Sequence, residues 1–96
     1  MSRWLVEKRL SASSERLKRL RNELAVIDEQ MASLTDAADE TRVRALVSET
    51  PLADREHQEA RKHADAMAHH RERVVASISE MERSQNELLD RLLAER

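Results

Sequence analysis

The sequence predicts an all-α protein: an antiparallel two-helix coiled-coil hairpin that reverses at Ser48-Glu49-Thr50-Pro51. Three observations predict it. Apolar residues recur at alternating steps of three and four along both halves of the chain, which is the seam of a coiled coil. There is no glycine and only one proline, Pro51, whereas the tight turns of a hairpin-rich sheet call for glycine. The two apolar series also come into register when the second half is folded back on the first.

The first arm, about residues 3–48, carries Val6, Leu10, Ser13, Leu17, Leu20, Leu24, Ile27, Met31 and Leu34 at that spacing. Ser2 suits the cap of its first turn, while Ser11, Ser13 and Ser14 offer a later start that would leave residues 1–10 as a separate segment. In Thr35-Asp36-Ala37-Ala38-Asp39-Glu40, side chains compete with the helix for backbone hydrogen bonds. A kink near 36–39 is therefore expected. Beyond it the heptad continues weakly through Ala38, Thr41, Ala45 and Ser48. Val43, Leu46 and Val47 form their own stripe off this seam. The kink would rotate them inward; without it they stay exposed.

The turn lies at about 48–51. Thr50 is a good N-cap, and Pro51 suits the first helical position because its missing N–H is not needed there. Asp54 and Glu56 follow in the first turns, where the helix dipole favours negative charge. The second arm, about 51–95, has Ala53, His57, Ala60, Ala64, Met67, Arg71, Val74, Ile78, Met81, Gln85, Leu88 and Leu92 on its seam. Pairing Leu10 with Leu92, Leu17 with Gln85, Leu20 with Met81, Leu24 with Ile78, Ile27 with Val74 and Leu34 with Met67 gives residue numbers that add to 101 or 102 throughout. That midpoint falls at Thr50-Pro51, where the turn was placed on other grounds. The whole chain reads as one hairpin with leucine-rich layers at the open end and small alanine layers near the tip. A single seam has a thin core, so dimerisation into a helical bundle is expected.

Composition narrows the function classes. Charged residues make up 38% of the chain and Trp4 is the only aromatic. Cysteine is absent, so there is no disulfide framework and no thiolate nucleophile or ligand. The apolar run at the start is too short for a signal peptide, and no stretch reaches membrane-spanning length. A cytoplasmic protein with no membrane contact is expected. The arginine- and alanine-rich, lysine-poor composition points to a bacterial host.

No serine–histidine–acid arrangement, phosphate loop or concave site is evident, so the chain is expected not to be an enzyme and to need no cofactor. His57, His63, His69 and His70 lack both the Glu-x-x-His and the His-Glu-x-x-His spacings of helical metal sites. They read as solvated histidines, and no metal is expected. Arg71 and Gln85 interrupt the seam and read as register-setting residues; Arg71 can also reach a flanking carboxylate or snorkel outward.

Two places carry apolar side chains that the seam does not use. At the open end, Trp4, Leu5, Leu88, Leu89, Leu92 and Leu93 form an oligomerisation patch with Trp4 as anchor. At the tip, Val43, Leu46, Val47, Glu49, Leu52 and Asp54 form a partner-binding patch. Charge is also uneven. Residues 1–21 carry seven basic residues against Glu7 and Glu15, and residues 22–60 carry ten acids against Arg42, Arg44 and Arg55. The basic first arm, with Arg16, Lys18, Arg19 and Arg21, makes phosphate contact an alternative. Acidic interleaving and the lack of aromatic platforms favour a solvated flank instead.

The stretch Leu52-Ala53-Asp54-Arg55-Glu56-His57-Gln58-Glu59-Ala60-Arg61, at the acidic end of a long hairpin, resembles the start of the second helix in Gre-type factors. These enter the secondary channel of bacterial RNA polymerase. The resemblance covers this half-arm. It implies a transcription regulator that inserts an acidic tip, with Asp54 as the equivalent of one acid of the family's pair. Pro51 stands where the other would be, and the family's globular domain has no counterpart here. The sequence thus leads first to a non-enzymatic coiled-coil adaptor with a protein partner and a homodimeric state. Binding of RNA polymerase through the tip and binding of nucleic acid through the first arm are the alternatives.

Overall fold

The structure, a computed structural model, describes residues 2–94. They form two helices, α1 (Arg3–Ser48) and α2 (Pro51–Ala94), joined by Glu49 and Thr50, and there is no strand among the described residues. α1 starts early because Ser2 caps it: the Leu5 backbone N–H donates to Ser2 Oγ at 3.2 Å. This satisfies one of the four donors a helix start leaves unpaired. The serines at 11–14 start nothing and lie inside the helix.

The reversal takes two residues. Glu49 adopts the left-handed conformation, with φ at 50°, and its N–H donates to the Ala45 carbonyl at 3.1 Å. This is the αL closure in which glycine is usual; in a chain without glycine, a glutamate with a Cβ fills the position. Thr50 then caps α2, accepting from the Ala53 N–H at 3.2 Å, and Pro51 takes the first helical position.

The chain divides into two compact units. Met1–Leu24 with Arg73–Arg96 form the open-end unit. Within it Val6, Ser13, Leu17 and Val74 are buried, and Leu10, Leu20, Leu24, Ile78, Met81, Leu88 and Leu92 are half-buried. Arg21 reaches Glu82 across the pair of helices at 3.8 Å. The Ser13 hydroxyl is buried without a hydrogen-bond partner, a polar atom at a seam position that a methyl group could fill.

Ala25–Glu72 form the tip unit. Ile27 and Ala53 are buried there, and Met31, Leu34, Ala38, Thr41, Ala45, His57, Ala60, Ala64 and Met67 are half-buried. Side-chain contacts across this pair include Asp28 with Arg71 at 2.7 Å, Thr41 with His57 at 3.4 Å and Arg44 with Glu56 at 3.4 Å. Residue numbers rise on α1 as they fall on α2, so the pairing is antiparallel.

The expected kink near 36–39 is absent, and α1 runs unbroken through this stretch. The half-buried positions keep their heptad phase through Ala38, Thr41 and Ala45. Val43, Leu46 and Val47 are consequently not rotated inward; they are 59%, 68% and 80% exposed. The physical reason is local. No proline or glycine interrupts the segment, Ala37 and Ala38 are strong helix formers, and the Thr41 hydroxyl bonds back to the Ala37 carbonyl at 2.8 Å without breaking the ladder.

Arg71 holds a seam position but its side chain is exposed, turned to Asp28. The neighbouring carboxylate holds the guanidinium above even its ordinary high range, through the hydrogen bond first and the charge second.

Candidate functional site

At the tip, α1 presents Val43 and Val47 one turn apart with Leu46 beside them, because all three lie off the seam. A shallow groove on this helix is lined by Asp39, Glu40, Val43, Arg44, Val47 and Ser48. Leu52, in the first turn of α2, is 63% exposed, and the carboxylates of Glu49 and Asp54 are exposed as well. Ala53, between Leu52 and Asp54, turns inward and is buried. The tip unit therefore offers exposed branched apolar side chains among carboxylates.

In the open-end unit the six candidate residues separate. Trp4, Leu5, Leu89 and Leu93 are exposed, whereas Leu88 and Leu92 are half-buried on the seam between the helices. The Lys8 ammonium lies 5.0 Å from the centre of the Trp4 ring, so one face of the indole already carries a cation. In the basic run, Arg16, Lys18 and Arg19 are exposed, and Arg21 is drawn to Glu82.

The sequence reading overlooked two exposed valines. Val26 is 52% and Val75 36% exposed. The signal was present, since each sits one position off the seam, before Ile27 and after Val74.

His57 is half-buried beside Thr41. The Thr41 hydroxyl lies 3.4 Å from His57 Nδ1 and within hydrogen-bond distance of the Ala37 and Ala38 carbonyls, at 2.8 and 3.0 Å. His69 lies 3.8 Å from Glu72 with both side chains largely exposed. His63 and His70 border a groove floored by Leu34, Ala66 and Met67. Among the described residues, no three His, Asp or Glu side chains converge to hold a metal ion. No helix among them is long and apolar enough to cross a membrane.

Comparison with protein-family models, curated proteins and solved structures finds no match for this chain.

Proposed function

We propose that this chain is a non-catalytic interaction protein, a helical hairpin that offers its tip to a protein partner. One observation carries the reading: Val43, Leu46, Val47 and Leu52 are 59–80% exposed around the turn, although the heptad seam beside them is continuous and has no use for them. Isolated exposed apolar residues are ordinary, but a contiguous group flanked by charge marks a contact surface. Trp4, Leu5, Leu89 and Leu93 provide a second such group for self-assembly. The test is affinity capture from the native host with wild type, Leu46→Asp and Asp54→Ala as baits. The tip reading requires both variants to lose partners that wild type retains. Recovery of the same set by all three baits would sink it.

A second reading is a transcription regulator that binds RNA polymerase through the tip. It is favoured by the exposed Asp54 carboxylate at the start of α2, within the stretch that resembles the second helix of Gre-type factors. Co-purification with polymerase that depends on Asp54 would select this reading over a general adaptor.

A further inference from the structure

The groove on α1 in the tip unit is apolar along its length and negative at its edges. Val43 and Val47 stand one turn apart, and Asp39 and Glu40 precede Val43 by one turn, so all four share one side of the helix. Arg44 is the one basic side chain that lines this groove among the described residues. Its guanidinium reaches Glu56 on α2 at 3.4 Å rather than Glu40, which lies at the spacing of a helical ion pair. Across the reversal, Glu49 stands between Leu46 and Leu52 in the chain, and Asp54 follows; both carboxylates are exposed. Asp39, Glu40, Glu49 and Asp54 take part in none of the ion pairs seen among the described residues.

From this we infer that the tip docks an amphipathic helix of a protein partner that carries lysine or arginine beside its apolar stripe. The inference rests on the reading of the tip as a protein-docking surface and names the chemistry of its occupant. The apolar stripe lies along Val43 and Val47 in the manner of a helix seated in a groove. The flanking bases meet carboxylates that have no cation of their own, which sets both orientation and choice of partner. A second copy of the tip would bring its own carboxylates against these, so like charge disfavours tip-to-tip pairing.

Glu49 supports the same reading. Its φ of 50° is a conformation that glycine adopts freely and a residue with a Cβ adopts at a cost. A glutamate here lowers the stability of the turn and places a carboxylate beside the exposed leucines, the trade of stability for function expected of a contact residue. Glu49→Gly is therefore expected to raise the melting temperature while weakening docking.

The experiment is fluorescence anisotropy on the full chain, titrated against a labelled synthetic peptide of leucine and lysine at helical spacing. The same peptide with glutamate in place of lysine is the control, and circular dichroism follows helicity and melting. The lysine peptide is expected to bind, more weakly as salt is raised, and the glutamate peptide not to bind. Glu40→Gln and Glu49→Gln are each expected to weaken binding by about two- to fivefold, the effect of one exposed charge pair. Val47→Ser is expected to weaken it as well, and Asp65→Asn, in the same unit but well along α2, to leave it unchanged.

Failure of the lysine peptide to bind, or equal binding of the glutamate peptide, would overturn the inference. So would indifference to Glu40→Gln and Glu49→Gln, or an equal loss with Asp65→Asn, which would mean adsorption to diffuse negative charge. Full binding by Val47→Ser would overturn it too, because the groove would then have no part in docking. The tip reading stands apart from these outcomes. If the lysine peptide does not bind but Leu46→Asp still loses captured partners, the tip docks a protein of different chemistry and only the inference about charge fails.

Discussion

Truncation of leucine to alanine at Leu17 and at Leu46 makes the same chemical change in the same helix, in opposite heptad phases. Leu17 is 2% exposed and among the largest fully buried side chains. Its replacement removes the transfer free energy of the side chain and leaves a cavity between two helices that relax only partly, a cost of about 2–5 kcal/mol. Leu46 is 68% exposed; its replacement loses little burial and gains slightly in helix propensity, so its effect stays within about 0.5 kcal/mol. Among the described residues, only Val6, Leu17, Ile27, Ala53 and Val74 are buried apolar side chains. For a chain of this size, a loss of about 3 kcal/mol lowers the melting temperature by roughly 10–25 °C. Dilute protein would be melted thermally and in urea, following helicity at 222 nm. Equal losses at the two positions would refute the heptad phase on which every surface assignment here depends. A loss above about 1 kcal/mol for Leu46→Ala would do the same.

Two further outcomes follow from single observations. Ser13→Ala replaces a buried hydroxyl that has no partner, and the urea midpoint is expected to rise by the equivalent of up to about 1 kcal/mol; a fall of that size would mean that the hydroxyl is hydrogen-bonded in solution. Glu49→Gly relieves a side chain held at φ 50° and is expected to stabilise the hairpin by about 1 kcal/mol, set against the greater freedom glycine has when unfolded. Glu49→Val, with its branched Cβ, is expected to destabilise it, and the reverse order in thermal melts would show that the turn is not left-handed at this position.

Much of the fold was legible because coiled-coil information is local and repeated. Val6, Leu17 and Ile27 fall on the buried side of α1 because a step of three or four residues returns a side chain to the same face. Ser2, Thr50 and Pro51 marked helix starts by chemistry that needs no tertiary contact. The kink was misjudged for the same reason. Thr35, Asp36 and Asp39 compete with the helix when considered alone, but a continuous helix meets its partner at Ala38, Thr41 and Ala45 and keeps its phase. The six-residue candidate patch at the open end was divided for a related reason: Leu88 and Leu92 lie on the seam, Leu89 and Leu93 one step off it.

The sequence by itself determined that the chain is two long helices and that they reverse within residues 48–51. Periodicity and capping decide these within one helix or one turn. Only the tertiary structure decided that Val43, Leu46 and Val47 remain outside, that Arg71 turns from the seam to Asp28, and that the Ser13 hydroxyl is enclosed without a partner. Those outcomes depend on how closely the second helix approaches and which side chains it brings within reach. A repeat in one helix does not contain that distance; it exists only when the two helices lie against each other.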